Sequence, residues 1–191
     1  KEITETRVVE KPAPAAAQNT PAPLLDPALL APRTSETAPY QWKLPESWSE
    51  AAPTPMRIGN FTLGAHPEIE CYMTVLQGAA GGVDANLNRW RGQMGQPELD
   101  PAAIAALPKV EMLATPSPLI EIGGSYTTMT GKLYEHYMMM AVVCALPDKT
   151  LFVKMTGPEA DVQAQKENFI AFCKSIKEGE APIDAGSKED Q

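Results

Sequence analysis

"EHYMMMAVVCALPDKTLFVKMTG", residues 135–157, holds two apolar runs divided by Pro147, Asp148 and Lys149. A proline, an acid and a lysine in succession suit a turn. Unbroken apolarity from Tyr137 to Leu146 suits a strand covered on both faces. The segment reads as a long antiparallel hairpin at the centre of a sheet, which needs helices above and below it. Downstream, Gly157 and Pro158 open a helical pattern in which Val162, Phe169, Cys173 and Ile176 share one face, with Phe172 beside them. Upstream, Val83, Leu87, Trp90 and Met94 fall in one narrow sector of a helical wheel drawn over residues 83–94. A second, shorter helix is marked by "DPAAIAAL", residues 100–107, with Asp100 as N-cap and Pro101 at the first helical position.

The remaining strands follow from period-two alternation. "MRIGNFTL" (56–63) and "EIECYMTVL" (68–76) flank a "GAHP" loop, and Ile69, Cys71, Met73 and Val75 share a face, so the two pair as antiparallel neighbours. "SPLIEIGGSYTTMTG" (117–131) reads as one strand over Leu119–Ile122 and another near Tyr126–Met129, joined at Gly123 and Gly124. Trp42, Leu44 and Trp48, around Pro45, form a short extended lead-in whose indoles seal one end of the core. The order of strands, helices, strands and helix implies an α+β fold with a central antiparallel β-sheet and helices packed on both faces, an α/β/α sandwich.

The flanks differ in kind from this core. Residues 1–39 carry seven prolines, an alanine run and no aromatic residue. Such a segment buries too little apolar surface to offset the entropy of ordering, so it is expected to be a disordered linker. Its one apolar island, "LLDPALLAP" (24–32), reads either as a small docking element or as part of the linker. Residues 178–191 hold five acids and one lysine and are expected to form an acidic flexible tail. A single globular domain then spans residues 40–177. The leader suits a tether between a membrane anchor and a globular head, reaching ~3 Å per residue in extended geometry. The corresponding expectation is a signal sequence removed ahead of Lys1, with or without a lipid-bearing cysteine at its end, and a location in the periplasm or on the outer face of the cytoplasmic membrane. The net charge of −8 carries no basic surplus in any segment, which argues against nucleic acid as a partner. No apolar run approaches the roughly 18 residues of a bilayer span.

Candidate chemistry is sparse. Cys71, Cys144 and Cys173 each lie in an apolar pattern and read as three buried thiols, or as a Cys71–Cys144 disulfide with Cys173 left over. Zinc-type paired spacings are absent, as are G-x-S-x-G, H-E-x-x-H and the Walker motif. His66 reads as a loop residue and His136 as a solvent-facing residue at a strand start. Glu70, Glu121 and Glu135 lie on or beside strands, where a pair could converge as acid and base. Met138, Met139 and Met140 with His136 offer soft copper ligands, although a run on a strand alternates faces, so at most two share a side. No cofactor and no metal is expected.

"GAAGGVDANLNRWRGQMG", residues 78–95, is the most distinctive stretch. Gly78, Gly81 and Gly82 before a helix N-terminus admit an anion-binding reading. Against it, Asp84 puts a negative charge in the first turn, and glycines equally let a chain turn from strand into helix. Trp90 points into the core sector. Asn86, Arg89 and Gln93 form a polar stripe that orients the helix on the sheet, while Asn88, Arg91 and Gly92 lie on its outer side as a partner-binding surface.

"GGVDANLNRWRGQMG", followed by "LFVKMTGP" and a closing helix, resembles an uncharacterised family of exported bacterial proteins, often lipoproteins, over about Trp42–Ile176. The strand and helix order also resembles the PsbP-like extrinsic proteins of photosystem II and the Ran-binding nuclear import factor of similar shape. These resemblances imply binding of a larger partner and transfer no site residue. The expected function is a non-catalytic, envelope-tethered binding or accessory module docking on a membrane-associated protein complex. The alternative is a carrier or sensor of a small ligand or of copper, and an enzyme of unknown class is less favoured.

Overall fold

The computed structural model describes residues 39–52, 54–128 and 130–179. Its elements are β1 (Tyr40–Gln41), β2 (Trp48–Ala51), β3 (Gly59–Leu63), β4 (Glu70–Gln77), α1 (Val83–Gln93), α2 (Pro101–Ala105), β5 (Lys109–Met112), β6 (Thr115–Thr127), β7 (Leu133–Ala145), β8 (Lys149–Pro158), α3 (Glu159–Ala164), α4 (Lys166–Ser175) and β9 (Lys177–Glu178). Seven strands make one antiparallel sheet in the order β2-β3-β4-β8-β7-β6-β5, while β1 and β9 form a separate two-stranded ladder. The 135–157 hairpin is at the centre, and β8 is buried from Thr150 to Gly157 because it has a strand on each side and a helix layer above and below. The α+β class and the sandwich expected from the sequence are what the chain adopts.

Alternation divides the buried residues into two cores. On one face Phe169, Phe172, Cys173 and Val162 of α3 and α4 pack with Met73, Val75, Met140, Val142 and Val153. On the other, Leu87, Trp90 and Met94, with Ile104 of α2, pack with Ile120, Ile122, Met139, Ala141, Val143 and Phe152. Trp90 meets Phe152 edge to face at 5.9 Å. Trp42 and Trp48 close the end of the first core through Phe61 and Phe172, whose centroids lie 4.7 Å apart.

Several local expectations are corrected. Gly123 and Gly124 do not join two strands: β6 runs through them with a register shift between Gly124 and Tyr126. Their smallness serves packing, since a Cβ on Gly124 would collide with the backbone oxygen of Met94 at the end of α1. The closing helix is two helices, broken at Gln165, whose Oε1 accepts from the buried Trp48 indole at 3.0 Å and from Asn168 Nδ2 at 2.9 Å. β3 starts at Gly59 rather than at Met56, and β5 is a strand that the alternation of "KVEM" carried too briefly to stand out. The boundary at residue 177 falls inside β9, where Glu178 pairs with Tyr40 and holds Lys149 at 2.9 Å. The linker and docking-island readings of residues 1–38, and the tail beyond residue 179, lie outside the described residues.

All three cysteines are free and buried. The Cys71–Cys144 disulfide is ruled out by register. Cys71 lies opposite Met155 and through it Met140, whereas Cys144 lies opposite Leu151, so the two are two strands apart and offset along the sheet. That places them roughly 15 Å apart, about twice what a disulfide spans. Among the described residues, no helix is long and apolar enough to cross a membrane.

Candidate binding surface

The loop before α1 needs its glycines for backbone reasons: Gly78, Gly81 and Gly82 have φ of 63°, 87° and 90°, which side chains resist. Asn86 fills that loop. It is 3% exposed, and its Nδ2 donates to the carbonyls of Ala80 (2.9 Å) and Gly82 (2.7 Å). Its Oδ1 accepts from Arg89 at 2.7 Å. Gln93 Oε1 accepts from Lys154 Nζ on β8 at 3.1 Å and so ties α1 to the sheet, whereas Arg89 bonds only Asn86 within the helix. Asp84, in the first turn of the helix, makes no capping bond with its side chain; the polar side chain that closes this turn is Asn86. At the other end Gly95, at φ 68°, and Gln96 close the helix with N–H bonds to the carbonyls of Gly92 and Arg91, the Schellman pattern.

The outer residues are busier than an open surface would require. Asn88 exchanges two hydrogen bonds with the backbone of Leu99, at 2.8 and 3.0 Å, and Arg91 Nε donates to the Pro97 carbonyl. Both clip the following loop to α1. Gly92 remains exposed, with open space over its Cα, so no close approach within the described chain explains it.

The three carboxylates do not converge. Glu70 pairs with Arg57 at 2.8 Å on the α1 side of the sheet, Glu121 pairs with Lys166 at 2.8 Å on the α4 side, and Glu135 is exposed near His136. His66 Nδ1 lies 3.3 Å from Asp161. His136 is exposed, at φ 56°. Met139 and Met140 are wholly buried in opposite cores, so the methionine run presents no common face to His136.

The main feature that the sequence reading missed lies beyond the C-terminal end of α1, where the helix layer stops short of the sheet. Cross-strand pairing aligns Asn60, Tyr72, Lys154 and Ala141 in one row and Glu70, Thr156 and Met139 in the next. Tyr137 follows on β7, and Tyr126 pairs with Tyr134 past the β6 irregularity. Four of the five tyrosines thus gather on one half-buried shelf. Tyr134 and Tyr137 lie 4.7 Å apart, and Tyr126 is parallel to Tyr137 at 6.3 Å. The Arg57 guanidinium covers the Tyr72 ring at 3.9 Å, and Lys154 Nζ lies 5.5 Å from the Tyr126 centroid.

Lys154 is 5% exposed, the one buried Lys, Arg, His, Asp or Glu among the described residues. Burial drives its amine down to about 8, against a partial pull from Glu70. Burial also pushes Tyr72 up to about 12 and raises Tyr126 and Tyr137, so these hydroxyls stay neutral. Two residues from Lys154 on the same face, Thr156 Oγ1 is buried without a hydrogen-bond partner. The signal available in "LFVKMTG" was the lysine itself, placed inside a strand whose both faces had to be buried.

A second concavity, of about 760 Å³, opens at the other end of the sheet. Leu113, Leu146 and Ile176 line it together with charged residues, among them Glu111, Lys174 and Glu178.

No protein-family model and no curated protein matches the chain. Among solved structures it is similar to a protein from Bacteroides thetaiotaomicron, with 8% identity and a TM-score of 0.46, covering 74% of this chain and 46% of that one. It is similar to LpqN of Mycobacterium tuberculosis, a protein involved in cell envelope biogenesis, with 12% identity, a TM-score of 0.40 and 74% and 83% of the two chains covered. A third is the cyanobacterial PsbP (CyanoP) of Synechocystis, with 11% identity, a TM-score of 0.38 and 87% and 98% covered. The chain spans about half the length of the Bacteroides protein.

Proposed function

We propose that this chain is a non-catalytic binding module, exported and tethered by its proline- and alanine-rich leader, that docks on a membrane-associated protein complex through the tyrosine shelf, with Gly92 at the adjoining face of α1. The observation that carries this reading is the collection of Tyr72, Tyr126, Tyr134 and Tyr137 with Arg57 on a sheet face left partly bare by its helices. Tyrosine and arginine are enriched at protein interfaces, where their flat amphipathic groups bury large area at small entropic cost. A non-catalytic role accords with the thiols: Cys71 and Cys173 are held well above the usual range by burial, so neither is a ready nucleophile. The test is a photo-crosslinking residue placed at Tyr137 or, as control, at Glu111 on the opposite end, in envelope preparations of the source organism. A discrete protein adduct from Tyr137 that is absent from Glu111 supports the proposal. Adducts from Glu111 alone, or from neither, reject it.

The second reading, a small-ligand carrier, draws support from the 760 Å³ concavity, a size in the range of ligand sites, where apolar residues such as Leu146 and Ile176 stand beside charged ones. It predicts that a ligand extracted with the purified protein is displaced by filling the concavity with Ala114→Trp.

A further inference from the structure

The shelf carries an unbalanced charge. Arg57 is ion-paired with Glu70 and bonded to Asn60, whereas Arg89, exposed on α1, bonds only the neutral amide of Asn86. Lys154, buried between them, has only the neutral amide of Gln93 as acceptor, and among the described residues no carboxylate lies within 4.0 Å of it. Two cations, Arg57 and Arg89, and one carboxylate, Glu70, act on Lys154, so this face carries a local surplus of positive charge in a chain of net charge −8. An ammonium has three donors and this one uses a single acceptor, while Thr156 Oγ1 on the same face has none.

We propose that Lys154, with Gln93 beside it and Tyr72 and Tyr126 flanking it, is a receptor for a carboxylate, namely an aspartate or glutamate side chain next to an apolar residue of the protein that docks on the shelf. The proposal rests on the partner-binding reading above. Burial sets Lys154 apart from the two arginines: Arg57 is paired with Glu70 and Arg89 is exposed, so Lys154 lacks both a counter-charge and water, and a single buried ammonium suits the single charge of a carboxylate. Burial adds to the attraction, because an ammonium without a counter-charge in low dielectric gains more from an arriving carboxylate than a solvated one does. The path is short: Tyr72, Tyr126 and Gln93 are all half-buried, so the amine lies one side-chain layer below the surface.

The test uses phenylpropionate, a fragment joining a carboxylate to an apolar ring, and its neutral amide, titrated into isotope-labelled wild type and Lys154→Met and read by NMR at the lysine ε-CH2 and tyrosine ring signals. The expected result is a saturable shift at Lys154 with the acid, binding about tenfold weaker with the amide, and loss of the preference in the variant. Equal binding of acid and amide overturns the proposal, as does acid binding unchanged in Lys154→Met, or no saturable shift at all. The lysine and ring spectra themselves report whether the variant is folded. Because the fragment needs no partner, its failure leaves a Tyr137 crosslink standing. A fragment that binds while Tyr137 yields no adduct upholds the carboxylate chemistry and overturns the protein source.

Discussion

The indole N–H of Trp48 donates to Gln165 Oε1 over 3.0 Å, and this buried bond joins the edge strand β2 to the break between α3 and α4. Gln165→Leu removes the acceptor and leaves the indole unpaired inside the core. Loss of a buried partner costs about 1–3 kcal/mol, so the urea midpoint is expected to fall with an unchanged slope. A variant as stable as wild type would show that the bond is dispensable.

Gly124 lies against the Met94 carbonyl and Gln96 Nε2, the latter 3.2 Å from where a Cβ would stand. Because the nearest obstacle is backbone, Gly124→Ala has to push the end of α1 off the sheet. The expected cost is about 2 kcal/mol or more, with enhanced amide exchange confined to α1 and β6. Gly92→Ala, with open space above it, is the control, expected to stabilise the helix by about 0.5–1 kcal/mol.

Leu113 and Ala114 form the two-residue turn between β5 and β6, both left-handed at φ 51° and 55°. This is the type I′ geometry that favours asparagine and glycine. Ala114→Gly relieves a left-handed strain of about 1–2 kcal/mol and loses part of that gain to the freer unfolded chain. A net stabilisation of about 0.5 kcal/mol is expected, visible as a small rise in Tm.

Lys154 makes stability depend on pH with a definite sign. Its amine is lowered to about 8 in the fold, against about 10.4 in the unfolded chain. Below pH 8 both states hold the proton and the folded state bears the whole desolvation cost. Between about 8 and 10.4 the unfolded state binds the extra proton, so the contribution of Lys154 to folding stability rises with pH, against the opposite slope of the buried thiols Cys71 and Cys173 that both proteins share. Wild type is therefore expected to gain on Lys154→Met by about 1–3 kcal/mol across that window. Tyr72, raised to about 12, erodes stability above pH 10 in both proteins and so drops out of the comparison. Parallel pH profiles would contradict the buried cation.

The hairpin at 135–157, the inward face of Ile69, Cys71, Met73 and Val75, and the Asp100 cap were legible because each follows from local periodicity or local hydrogen bonding. That Asn86, Arg89 and Gln93 share one stripe of α1 was legible for the same reason; in the fold Asn86 bonds the loop, Gln93 bonds Lys154 on the sheet, and Arg89 bonds Asn86 within the helix. That Asn88 and Arg91 also hold the backbone at Leu99 and Pro97 was not legible, because those partners belong to a loop whose path follows no period.

The sequence by itself determined the fold class and the division of apolar side chains into two cores, since spacings of two and of 3.6 residues decide which side of an element faces water. Only the tertiary structure decided the rest. Tyr72, Tyr126 and Tyr137 come from three strands, and Lys154 from a fourth, so their meeting depends on register between segments far apart in the chain. The pairing of Cys71 was likewise a matter of register, and a one-dimensional pattern does not contain the offset of one strand against another.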